Sequence, residues 1–217
     1  MTRSFVGLAL WVISGLASAA FSQTDAAAGK PRIELFWSDY KLLQNKLSAG
    51  ARKALEKEAR TIFSEAGIQL SFFVGSPEDH GASDARAIRV ILMPRSAEGW
   101  TESDDAMGAV LERNARARTV YVFVPVVERT IGHSVDDKML HDGRKAHALA
   151  RALARVLAHE TVHAIDSNIP HGPEGSVMSA NLTSELLLGH RVTFDGTTKA
   201  RLLESLLRPA TARTPRP

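Results

Sequence analysis

The sequence predicts an α+β fold: a mixed, twisted β-sheet with two main helices, then a small C-terminal subdomain of loop and helices. Three observations predict it. Short runs rich in β-branched and aromatic residues, above all Thr119–Val127 (TVYVFVPVV), read as strands. Two longer segments, Asp39–Ala66 and Gly143–Ile165, carry apolar residues at three- and four-residue spacing with charges between them, the pattern of amphipathic helices. Beyond Ile165 the pattern breaks into a loop bearing Asn, Pro and Gly before two short helical stretches.

The chain has 217 residues, which suggests one domain with tails. Its apolar fraction of 44% and charged fraction of 24% are ordinary for a globular protein. The net charge is only +3 and no basic stripe with interleaved aromatics occurs, so nucleic acid is not an expected partner. There is no cysteine. Disulfides and thiolate ligands are therefore excluded, and the fold must stand on its core, which about 190 residues can supply.

In chain order, residues 1–20 have the form of a secretory signal. Arg3 gives the positive start, Phe5–Leu16 the apolar core, and Ala17-Ser18-Ala19 a cleavage site after Ala19 or Ala20. The apolar run is too short to span a hydrocarbon layer of about 30 Å. The expected location is thus secreted or periplasmic, with no stable membrane association after cleavage, and the mature chain is expected to be a monomer. Residues 21–30 are a flexible lead and 31–207 the folded domain. Arg32–Trp37 is the first strand. The Asp39–Ala66 helix is interrupted near Ser48-Ala49-Gly50, with Gly67 as its stop. Ile68–Val74 and Ala87–Met93 are strands, the latter apolar enough to be central. Met107–Glu112 suits an edge strand, and in Thr119–Val127 Pro125 is expected to end the paired portion. His80, His133 and His141 lie in polar segments and read as surface residues.

In Gly143–Ile165, Leu149, Leu153, Val156, Glu160 and His163 form one stripe at about 100° per residue, while Arg144, Arg151 and Arg155 read as a solvated face. The stripe ends in His159-Glu160-Thr161-Val162-His163, an H-E-x-x-H motif. Histidines four apart on a helix share a face and can offer two imidazoles to one metal ion. Zinc suits this set, because it takes His nitrogen at about 2.0–2.1 Å and in catalytic sites uses three protein ligands plus water. Glu160, beside the first His, is placed to take a proton from that water. His171, eight residues after His163, offers the third ligand, and Gly175-Ser176-Val177-Met178-Ser179 follows. Asp166 reads as a helix-end residue helping the turn, with a ligand or an acceptor behind a ligand as the alternatives. Asn168, tolerant of left-handed backbone, and Pro170 are expected to turn the chain toward the metal.

The order H-E-x-x-H, loop, third His and a turn carrying Met resembles the metzincin zinc proteases. It is closest to bacterial secreted variants with a longer, Pro-containing loop before the third His. The resemblance implies Zn2+ as cofactor, His159, His163 and His171 as ligands, Glu160 as general base and Met178 as the residue beneath the metal. It implies an endopeptidase acting on peptide or protein substrates that lie along an edge strand, with Gly108, Ala109 and Val110 as the rim. The loop here is two residues longer than the family pattern, Asp166 stands at its Gly position, and Ala180 stands where some members carry Tyr. Two alternatives follow. Glu185, twenty-two residues after His163, would be the third ligand of a gluzincin-type peptidase. A structural or relic zinc site would make the chain a non-catalytic secreted protein. Asn181–Leu188, with Thr183 as N-cap, and Lys199–Leu207 are the closing helices, and residues 208–217 are a disordered tail.

Overall fold

The computed structural model describes residues 29–38, 47–82, 86–95, 105–114, 117–132 and 143–208. Residues 1–20, where a signal is expected, most of 21–30, residues 39–46, Trp100, His133, His141 and the residues beyond Arg208 lie outside the described residues.

Five strands form one sheet: β1 (Arg32–Trp37), β2 (Gln69–Val74), β3 (Ala87–Met93), β4 (Gly108–Asn114) and β5 (Ala117–Phe123), in the order β2-β1-β3-β5-β4. The pairs β1–β2, β1–β3 and β3–β5 are parallel and β4–β5 is antiparallel, so the sheet is mixed, as predicted. β3 occupies the centre because both its faces are apolar. Ile88, Val90 and Leu92 enter the main core, while Ile91 and Met93 pack on a smaller cluster with Tyr121, Phe123 and Val126.

Helix α1 (Ala49–Glu65) links β1 to β2 and buries Ala51, Leu55, Ala59, Ile62 and Phe63. It begins at the break expected near Ser48-Ala49-Gly50, with Ser48 as its N-cap accepting from the Ala51 N–H at 3.2 Å. Gly67 ends it with φ +79°, a left-handed turn into β2 that a side chain would resist. Helix α3 (Gly143–Ile165) coincides with the predicted span and packs on α1 and the sheet.

Two predicted boundaries move. The strand predicted through Val127 stops at Phe123, and Val124–Thr130 is a helix, α2. Pro125 lies in its first turn, where a missing N–H costs nothing, and burial of Val124, Val126 and Val127 overrides their β-propensity. After α4 (Ser184–Leu188), capped by Thr183 as expected, the last helix α5 (Gly196–Leu207) begins three residues before Lys199. Its cap is Asp195, which accepts from the Thr197 N–H and Thr198 N–H at 3.0 Å and from Thr198 Oγ1 at 2.6 Å.

Burial pushes the Asp195 pKa up, but these hydrogen bonds outweigh it and hold the carboxyl below its usual value. A lowered folded-state pKa means stabilisation that is present above the unfolded value and lost as pH falls through the folded one. Asp195→Ala should therefore cost about 1 kcal/mol near neutrality. In urea titrations the difference should shrink below about pH 4. A difference independent of pH would contradict the capping role.

One charge is in a different place from the one the sequence implied. Arg144 and Arg151 are exposed, but Arg155 is 0% exposed. Its Nε and Nη2 donate to Glu58 Oε1 of α1 at 3.0 and 2.8 Å, Nη2 also to the Gly189 carbonyl at 2.8 Å, and Nη1 to the Leu186 carbonyl. The guanidinium thus joins α1, α3 and the end of α4. Its partners come from distant segments, which is why helical periodicity alone assigns it to solvent.

Candidate metal centre

The site forms where α3 leaves the core. His159 is buried and His163 is partly buried, one turn apart on the face continuing the apolar stripe. Arg118 of β5 donates through Nη1 to the carbonyls of Ala164 and of Ile165, the latter at 2.6 Å. It satisfies terminal carbonyls of α3 and sets a cation at the negative end of the helix.

The chain then turns toward His171. Asp166 Oδ1 accepts from the backbone and side-chain nitrogens of Asn168, both at 3.0 Å, and Oδ2 accepts from Ser205 Oγ of α5 at 2.7 Å. Asp166 is the predicted helix-end residue. Asn168 is not left-handed: among the described residues every positive φ belongs to a glycine. The turn is made by the Asp166 carboxylate and by burial of Ile169, so it needs no unusual backbone.

Next to His171, the Gly172 N–H donates to the Met178 carbonyl at 2.7 Å, closing the loop that carries Gly175 at φ +84°. A Cβ on Gly172 would lie 2.6 Å from Asp195 Oδ2 and 2.8 Å from Ser176 Oγ, so a side chain there would have to displace that carboxylate and hydroxyl. Met178 is fully buried at the end of this turn.

The three predicted histidines come together. Their ring centroids are 4.9, 5.2 and 5.1 Å apart, and one ligand atom from each lies within 4.8 Å of the other two. The donor set fits a borderline-soft divalent ion such as zinc. Protonation fits as well. His159 Nδ1 lies 2.9 Å from the Val177 carbonyl, which can only accept, so Nδ1 carries the proton and Nε2 keeps its lone pair. Burial, opposed by that carbonyl and reinforced by His163 and His171, lowers the His159 pKa to about 4. Burial, then His171, lowers that of His163. Neutral imidazoles are the form a metal requires.

Glu160 directly follows His159 in the chain but is not one of the metal-ligating group. Burial raises its pKa to about 7. Its side chain packs on Gly108, the first residue of β4, which is an edge strand as predicted. Val110 packs partly on the main core and Ala109 on the smaller cluster across the sheet. Glu185 is exposed on α4 and outside the metal-ligating group, whose third place is taken by His171. His80 lies against Phe36 and Phe73 with Nε2 3.0 Å from the Val74 carbonyl, likewise outside it. Sequence reasoning missed Arg118, Gly172 and Asp195, whose roles depend on neighbours far along the chain.

The fold and site define a three-histidine cluster able to coordinate a metal ion, at the end of a core helix in an α+β domain. No family model matches the chain, and no curated protein sequence matches it. Among solved structures, the archaemetzincin of Methanopyrus kandleri is similar to 83% of this chain and 98% of its own, at 14% identity and a TM-score of 0.45. That likeness is too distant to establish a shared family.

Proposed function

We propose that the chain is a zinc-dependent hydrolase of peptide bonds working outside the cytoplasm after removal of residues 1–20. The observation that carries the reading is the placement of Glu160, a carboxyl next in the chain to one member of a three-histidine cluster and packed against an edge strand. His159, His163 and His171 would hold the metal. Bound zinc supplies Lewis acidity toward a carbonyl and lowers the pKa of water. Glu160 takes the proton from the attacking water and delivers it to the departing amine, a transfer that needs a carboxyl within hydrogen-bond reach of both. Val177 keeps His159 in the tautomer that leaves Nε2 for the metal.

Substrate binding would use the outer edge of β4. The Phe123 N–H donates to the Met107 carbonyl at 2.8 Å. In antiparallel pairing such hydrogen-bonded pairs alternate along the ladder, so Met107, Ala109 and Leu111 direct their backbone groups to β5. Gly108 and Val110 direct theirs outward. Those two, rather than Ala109, are the rim residues able to bond an extended peptide in the manner of an added strand.

A second reading, a metal site without catalysis, has an observation of its own: among the described residues none is hydrogen-bonded to Glu160 to orient it, and Ala180 supplies no hydroxyl near the turn carrying Met178. One experiment separates the two. The mature chain is incubated with unfolded casein, with and without a chelator, and zinc is then restored. Cleavage that chelation abolishes and zinc restores supports the hydrolase. One tightly held zinc with intact casein supports the non-catalytic site.

A further inference from the structure

The Glu160 side chain needs something to fix it, because no hydrogen bond from the described residues does so. The structure offers one contact that can. A Cβ built on Gly108 would lie 2.7 Å from both Cδ and Oε1 of Glu160 and would also overlap Cγ. These are separations that real side chains do not tolerate. Glu160 therefore lies directly on the Cα of Gly108, in space that any other residue would fill. Gly108 is not a left-handed glycine: it is absent from the positive-φ residues and sits in regular strand pairing with Val122. Its backbone gives no reason for glycine at this position. The carboxyl lying on it does.

We infer that Gly108 is a positioning residue for Glu160, its bare Cα forming the seat that holds the carboxyl beside the three histidines. The inference rests on the hydrolase reading and adds a coupling to it. The same residue turns its backbone N–H and C=O to the outer edge of β4, where a substrate strand would bond. Base and substrate are then registered against one residue, and an error in either is an error in the distance between them. Proximity of this kind is sensitive, since a misplacement of about 1 Å can cost about 10²-fold in rate. What a methyl group at Gly108 would displace is the Glu160 side chain from Cγ outward, not backbone. The displacement should therefore leave the fold intact and fall on the position of Glu160.

The test uses the zinc-loaded mature chain and its Gly108→Ala variant, compared in three ways. Zinc affinity should be unchanged, because no ligand is touched. A crystal structure of the variant should show the Glu160 carboxyl displaced with the three histidines in place. Casein hydrolysis should show kcat reduced by about 10²-fold with little change in KM. Adding Glu160→Asp, which shortens the side chain, should recover part of that loss, although Glu160→Asp alone lowers kcat. A carboxyl that stays in place while β4 shifts, or a kcat that survives Gly108→Ala, would overturn the inference. An unsubstituted chain that holds zinc but cleaves nothing would defeat the hydrolase reading instead, and the position of the carboxyl in the variant would still decide the role of Gly108.

Discussion

Glu160→Gln should leave zinc bound and lower kcat on casein by about 10²- to 10⁴-fold. The expectation follows from two facts of geometry. The three histidines form the metal-ligating group without Glu160, so an amide there removes no ligand. The carboxyl packs on Gly108, with no ion pair or hydrogen bond among the described residues, and an amide of nearly the same shape can occupy that space. Only the capacity to take and return a proton is lost. Stability should hardly change, because a neutral amide is at least as content in this partly buried place as a desolvated carboxyl. Retained kcat would mean that another group serves as base. A variant that loses its metal would mean that Glu160 helps to hold the ion.

Glu58→Ala should be the most destabilising surface-directed change in the domain, costing about 3–5 kcal/mol. Arg155 is 0% exposed, whereas a quarter of the Glu58 side chain (25%) reaches solvent. Deleting the carboxylate leaves a buried guanidinium with only the carbonyls of Leu186 and Gly189 as acceptors among the described residues. Arg155→Met removes the buried charge itself and returns Glu58 to water, leaving carbonyls that cost about 1–3 kcal/mol. The order of effects is therefore opposite to the order of burial. It can be read from urea midpoints measured with unchanged m-values. Equal losses from both variants would contradict the asymmetry, and a negligible loss from Glu58→Ala would mean that Arg155 finds other acceptors.

Periodicity made much of the fold legible. β1 and α3 stand at their predicted spans because each has an uninterrupted local pattern, alternation in RIELFW and a three-to-four repeat over 23 residues of α3. The same helix pattern located His159 and His163, and the Gly, Ser, Val and Met after His171 marked it as their partner. Where the reading failed, a distant contact decided. Val124–Val127 has strand composition but follows a strand that has already run its length, and Pro125 is as suited to a helix start as to a strand end. Arg155 has the spacing of a surface residue, yet Glu58, 97 positions away, makes its burial possible. The Asn168 turn was assigned to backbone tolerance when a carboxylate held by Ser205 makes it. Gly108 was legible as part of an edge strand, but its contact with Glu160 joins two elements that no local pattern connects.

The most direct test of the central claim is the zinc content and zinc affinity of the purified mature chain beside His171→Ala. Three histidines acting as one site predict about one zinc per chain, and loss of His171 should weaken binding severely while the circular dichroism of the fold persists. A chain that takes up no zinc, or whose affinity is indifferent to His171, would contradict the three-histidine centre and the hydrolase built on it.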